Sequence, residues 1–188
     1  VLNFLRYITN TLTANAVGAD DEQSVVVALL RCGLIAVAIA LAMIVLQFPI
    51  QKLGFAILSG SSGIESAGID YFNARIWGAP AVLLNFVLIG WFLGREMNGV
   101  VLLMSLVGNG SNVLFDYLMI LQWGWESVGA GIATALSQYL ALGIGLVAVL
   151  LTTKWAFFKS AWAQVLEREA LTRAVVLQGN ILARFLAL

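Results

Sequence analysis

Four polar side chains on one stretch of the sequence mark the chemistry this chain can do. Ser105, Asn109, Asn112 and Asp116 fall inside a mostly apolar run from Val100 to Trp123. In a helix, residues at these three- and four-residue intervals form a single stripe. The rest of the run is largely Val, Leu, Ile, Met and Phe, so the helix reads as one that crosses a membrane with its polar face towards a protein interior or a wet cavity. An ionisable residue in that position is costly and marks function. A carboxyl group there exists as the neutral acid or as a carboxylate paired with a cation. Asp116 is therefore suited to trade a proton or a sodium ion for a cationic compound. Asn112, one turn earlier, can orient the carboxyl group or lend an oxygen to a cation, and Thr134 on the next helix offers a third oxygen. The competing reading is that Asp116 and Asn112 only hold helices together.

Composition excludes most other chemistry. Histidine is absent and Cys32 is the single cysteine, in an apolar run. That removes His-based acid–base catalysis, Ser-His-Asp triads, the usual zinc sets and any disulfide framework. The turn from Gly94 to Gly99 lacks the Gly-Lys-Ser/Thr of a phosphate loop. No enzyme and no cofactor is expected, apart from a proton or sodium ion. Formal net charge is zero, and no basic cluster points to nucleic acid.

The elements that must position these residues follow from hydropathy. The chain is 61% hydrophobic and 11% charged over 188 residues, with a mean hydropathy of +0.95; an ordinary globular domain carries about 25% charge. A domain of this size leaves too much area outside to hide so much apolar side chain, so lipid is the expected solvent. The fold class is an all-α, polytopic transmembrane helix bundle. Complete spans are expected near 24–48, 70–93, 98–122 and 127–151. Val1 to about Ala16 reads as the end of a helix stopped at Gly18, and the chain reads as an internal fragment of something longer. Asp20, Asp21 and Glu22 form an acidic turn, with Ser24 as the N-cap of the next helix. Pro49 is expected to end that helix, and 51–68 to be a connection at the membrane surface broken by Ser59 to Gly63.

In the second span Tyr71, Arg75, Gly78, Val82 and Asn85 share a face. Pro80 is expected to bend the axis, and Asn85 to face the same interior as Asp116. Arg75 lies within reach of Asp70 or Tyr71. Arg31, two turns inside the first span, can snorkel to the interface. Ala130, Thr134, Ser137, Ala141 and Gly145 make a small-residue stripe that lets a neighbouring helix approach. Trp123 and Trp125 suit the headgroup level, and Lys154 to Glu169 suits a helix lying in the interface. With alternating sides, Arg31, Arg95, Lys154, Lys159, Arg168 and Arg173 share one side and Lys52 and Arg75 the other. The positive-inside rule then puts the first group in the cytoplasm.

Ordered motifs carry a resemblance. Tyr71-Phe-Asn-Ala-Arg75-Ile-Trp-Gly-Ala-Pro80, then Gly90 and Gly94, then Gly108, Asn109, Asn112 and Asp116, then Gly129, Gly131 and Thr134 resemble the multidrug and toxic compound extrusion (MATE) family, in particular its DNA-damage-inducible protein F-like subgroup. The resemblance implies twelve helices in two six-helix lobes around a central cavity. It makes 1–153 the end of helix 2 with helices 3–6 of the N-terminal lobe, 154–174 a cytoplasmic inter-lobe linker, and 175–188 the start of helix 7. It also implies a cation or proton site at Asn112, Asp116 and Thr134, with a further Asp from a helix 1 that this sequence lacks. The cavity set expected from residues and resemblance together is Asp116, Asn112, Thr134, Asn109, Asn85 and Arg75. The implied function is export of organic, often cationic compounds in exchange for protons or sodium ions, in a bacterial inner membrane, with the second lobe and the lipid bilayer as partners. A related flippase for lipid-linked sugars and a non-transporting membrane subunit are the alternatives.

Overall fold

In the computed structural model, which describes residues 3–58 and 62–165, the elements are all helical. They are α1 (Phe4–Gly18), α2 (Glu22–Val45), α3 (Gln47–Leu58), α4 (Ser62–Arg75), a 3₁₀ turn Ile76–Gly78, α5 (Ala79–Gly94), α6 (Asn98–Asp116), a π-helical continuation Tyr117–Gln122, α7 (Glu126–Thr152) and α8 (Trp155–Val165). Among the described residues four stretches are long and apolar enough to cross a membrane: Glu22–Val45, Gly63–Gly94, Asn98–Gln122 and Glu126–Thr152. The shortest has 24 residues, about 36 Å of helix at 1.5 Å per residue, against a hydrocarbon core of about 30 Å. The protein is an integral membrane helix bundle.

Local chemistry explains the boundaries and corrects three expectations. Asp21, not Ser24, caps α2: its carboxylate accepts from the Ser24 amide at 3.0 Å and from the Ser24 hydroxyl at 2.6 Å. Ser24 is in the first turn of the helix, and its hydroxyl adds a second bond to the same capping carboxylate. Those bonds, the hydroxyl's first, hold the Asp21 carboxyl below its ordinary value. The carboxylate is fully exposed, so the effect is modest in size, but its sign is fixed. A depressed folded-state pKa means the cap contributes above about pH 4, the ordinary carboxylate value, and is lost as pH falls through the lowered one. We expect amide exchange at Ser24 and Val25 to speed up only at acid pH, and Asp21→Ala to exchange fast at every pH.

Pro49 does not end α2. The helix stops at Val45, and α3 begins at Gln47 with Pro49 in its first turn, where a missing N–H costs nothing. The expected surface connection is also helical, through α3 and α4, except at 59–61, which lie outside the described residues. Pro80 also takes a different position from the one expected. The chain leaves α-geometry in the 3₁₀ turn Ile76–Gly78 and re-enters with Pro80 in the first turn of α5. The proline starts a helix where it was expected to interrupt one, so no interior carbonyl loses its partner to it.

The core is the seam where α5 packs against α1, α2 and α7. Trp91 and Phe92 are fully buried there with Leu5, Ile8 and Val25. The Trp91 indole donates to the Val25 carbonyl at 2.8 Å, which ties α5 to α2. Arg95 sits 4.4 Å from the Trp91 ring centroid and donates to Thr152 at the end of α7. α1 approaches so closely that a Cβ on Gly94 would meet Thr13 Cβ at 2.7 Å and the Asn10 carbonyl oxygen at 2.8 Å. At the other end Trp123 and Trp125 are in ring contact and half exposed. α8 lies on α2, with Ala161, Phe157 and Phe158 against Val26, Val27 and Leu30; 166–188 lie outside the described residues.

The turn between α5 and α6 and the start of α7 lie at opposite ends of the bundle, which makes the orientation testable. A cysteine at Glu126 should label from outside in sealed cells and one at Arg95 should not. Efficient outside labelling at Arg95 would reverse the assignment.

Candidate functional site

α7 is the axis of the site. A Cβ on Gly131 would reach Ala74 and the Tyr71 carbonyl oxygen, and one on Gly78 would reach Ala135, so α4 and α5 run beside α7 in the same direction. On its other flank Gly108 meets Ala141, Gly145 meets Met104 and Gly129 meets Met119, so α6 runs antiparallel to it. Small residues on both flanks let three backbones approach closely. Of the expected stripe, Ser137, Ala141 and Gly145 are buried. Gly131 and Ala135 on the α4 side complete the packing surface.

These contacts set depth. Asp116 lies one turn below Met119, which places it level with the Ala133–Thr134 turn of α7. Arg75 is level with Gly131, since a Cβ there would approach the Arg75 amide nitrogen at 3.2 Å. Asp116, Thr134 and Arg75 therefore occupy one layer of the bundle on three different helices, in the outer half by the expected orientation.

Within that layer the side chains face different spaces. Arg75 and Thr134 line a cavity of about 230 Å³ with Tyr71, Phe72, Val82 and Gln138. The Arg75 guanidinium carbon lies 5.8 Å from the Tyr71 ring centroid, within range of a cation–π contact. Of the two partners expected for Arg75, the structure selects Tyr71; Asp70 lines a separate groove with Trp77 and Tyr139. The Thr134 hydroxyl donates to the Ala130 carbonyl at 2.8 Å, leaving its lone pairs as what it offers.

Deeper in the bundle, Asn85 and Asn109 line a second cavity of about 200 Å³ with Ser105, Gly108 and Gln138. Asn85 is 4% exposed. Its amide nitrogen donates to the Gln138 backbone carbonyl at 2.9 Å and to Gln138 Oε1 at 3.0 Å. A backbone carbonyl can only accept, so the orientation of both amides is settled. Asn85 Oδ1 is then a buried acceptor with no partner. Asn85 thus shares an interior with Ser105 and Asn109 of the polar stripe, and Asp116 does not line that cavity. The expectation of one interior common to Asn85 and Asp116 is corrected accordingly.

Asn112 and Asp116 form the third part. Both are half-buried on α6, and the Asn112 amide nitrogen and Asp116 Oδ1 are buried atoms without a hydrogen-bond partner. Buried polar atoms are nearly always paired, so two orphans one turn apart set this pair apart from the other polar residues of α6. In an apolar 18-residue window of the Asn98–Gln122 span only 11% is buried, against 56% for Gly63–Gly94; on the stripe Ser105 and Asn109 are exposed. Immediately after Asp116 the backbone widens to π-geometry through Gln122, a form concentrated at functional sites.

Gln138 is the residue that sequence reading missed. It lies one turn after Thr134 and borders both cavities. An amide four residues from a threonine within an apolar span was visible in the sequence. Its role was not, because two cavities meet at it only in three dimensions.

Fold and site together define an integral membrane protein with polar groups concentrated inside a helix bundle. The family model MatE matches residues 1–118, and the chain belongs to that family. It is 30% identical over 188 residues to DNA damage-inducible protein F of Escherichia coli, covering all of this chain and 41% of the relative. It is 30% identical over 125 residues to Protein DETOXIFICATION 42 of Arabidopsis thaliana, covering 61% of this chain and 24% of the relative. In structure it is similar to a multidrug resistance MATE family transporter of the MOP superfamily in an inward-facing conformation, with TM-score 0.73 and 22% identity over 82% of this chain and 34% of that one. The chain thus spans under half the length of the relatives it matches.

Proposed function

We propose that this chain is most of the first lobe of a secondary active exporter that expels organic compounds in exchange for a cation, with Asp116 as the coupling group of this half. The observation that carries the reading is the pair of orphaned polar atoms, Asn112 Nδ2 and Asp116 Oδ1, on a membrane span that is little buried in this lobe. In this reading 1–153 is the lobe, 154–174 the linker and 175–188 the start of the second lobe, which closes over α6. The membrane is the bacterial inner membrane. The function is transport, and no enzymatic step is assigned.

The coupling ion of this reading is the proton. A proton needs one carboxyl oxygen and a neighbour to orient it, which Asp116 and Asn112 supply. A sodium ion needs several oxygens converging on one point, and Thr134 lines the Arg75 cavity, which neither Asn112 nor Asp116 borders. The test is export of a fluorescent cation from vesicles holding the full-length protein, under an imposed proton or sodium gradient. Export driven by the proton gradient supports the reading; export driven by sodium alone would shift the ion, and none under either gradient would reject the exporter. A flippase for sugar lipid phosphates would want several cations at its cavity, and Arg75 is alone in lining this one.

A further inference from the structure

We propose that the cavity between Arg75 and Gln138 binds a carboxylate of the transported compound, so that the substrates of this lobe are amphoteric or acidic aromatic molecules rather than purely cationic ones. The inference rests on the exporter reading for its substrate but on separate residues for its chemistry. Arg75 belongs to a span long and apolar enough to cross the membrane, where a permanent positive charge demands a partner. Tyr71 satisfies it only through the ring face. Among the described residues no hydrogen bond or ion pair uses its five N–H donors, and Asp70 borders a different groove.

Gln138 adds donors on the same wall. Asn85 donates to Gln138 Oε1, which uses the acceptor end of that amide and leaves its two N–H groups as what Gln138 can present to the cavity it lines. The Thr134 hydroxyl proton is already given to Ala130. The free polar capacity of this cavity is therefore mostly donor: a guanidinium and an amide N–H₂. The remaining lining is apolar or aromatic, including Met43, Phe72, Ile76 and Leu83. A cation entering here would meet a like charge, whereas a carboxylate gains charge-assisted hydrogen bonds.

Size narrows the ligand further. A volume of about 230 Å³ is below the usual range of a whole drug site, about 300–1,000 Å³, and fits a carboxyphenyl group rather than a whole drug-sized molecule. The layer shared by Arg75, Thr134 and Asp116 then places the anion site and the coupling carboxylate at one depth.

The test uses two dyes that differ in one group: a rhodamine with a free carboxylate on its pendant ring, and the ethyl ester of the same dye. Fluorescence anisotropy on the full-length protein in detergent measures binding, and proton-driven efflux of each dye from proteoliposomes measures transport. The free acid should bind about tenfold more tightly than the ester, the size of one charge-assisted hydrogen bond. Arg75→Gln should erase that preference by weakening the acid alone, Gln138→Leu should reduce it, and Arg75→Lys should restore part of it. Equal affinity for acid and ester in the unmodified protein, or an acid preference that survives Arg75→Gln, overturns the proposal. Failure of both dyes to move under either gradient would instead reject the exporter reading, and the binding arm would still decide the anion site.

Discussion

Asp116→Asn in the full-length protein should reduce gradient-driven export to the level of empty vesicles while the variant inserts and folds. Asn matches the size of Asp and keeps a carbonyl oxygen, so packing on α6 should change little, within about 0.5 kcal/mol. What is lost is the one carboxyl group that the described residues place in this layer. Without it, the half-site cannot release a proton when a cationic nitrogen arrives, and the imposed gradient has nothing to act on. The neighbours should matter less. Asn112→Ala and Thr134→Ala each remove a neutral polar group, about 1 kcal/mol or roughly fivefold in coupled rate. The measurement is initial efflux rate under a proton gradient, with yield and thermal stability of each variant as controls. Undiminished coupled export by Asp116→Asn would mean that the stripe is helix glue, and the coupling role would have to lie elsewhere in the protein.

The second large effect is structural and falls on Gly90. It lies on the buried face of α5 where α1 crosses, and a Cβ there would run into the backbone carbonyl of Arg6, with Arg6 C and Cα both at 3.1 Å. Those atoms belong to a helix backbone and have no rotamer to yield. Gly90→Ala must push α1 and α5 apart, loosening a seam that buries Leu5, Ile8, Trp91 and Phe92. Overpacking of this kind costs about 1–3 kcal/mol, so thermal unfolding in detergent should move down by several degrees. Gly110→Ala is the matched control. Nothing lies within 4 Å of a Cβ there, and replacing a mid-helix glycine should be neutral or stabilising by up to about 1 kcal/mol. Equal melting of the two variants would show that the α1–α5 approach is looser than drawn here.

Class and span positions were legible in the sequence because both depend on one-dimensional quantities. Length and apolar content decide whether a helix can cross lipid, and the four spans lie within a few residues of their expected positions except at the start of the second. That start moved out to Gly63 because α4 is helical well before Asp70, where a mixed polar composition argued for a loop. The sequence suggests that Pro49 ends one helix and Pro80 bends another, although proline is equally at home in a first turn, and sequence alone does not say which side of a junction it occupies. Asp21 was passed over as a cap because it sits among three acidic residues, any of which belongs in a solvated turn.

The sequence by itself determined that this is a membrane bundle, that Ser105, Asn109, Asn112 and Asp116 share one face of a helix, and that Tyr71, Arg75, Gly78 and Val82 share another. Helical periodicity is intrinsic to the backbone, so residues on one element are related without knowing what packs against them. Only the tertiary structure decided how those faces meet. It set Asp116, Thr134 and Arg75 at one depth, turned Thr134 towards Arg75, and gave Asn85 to Gln138. These relations depend on where one helix stands along another, and that offset is set by small residues such as Gly78, Gly108, Gly131 and Gly145 where backbones touch. A close contact fixes register to within a residue, whereas the pattern of glycines along one chain does not say which neighbour each will meet.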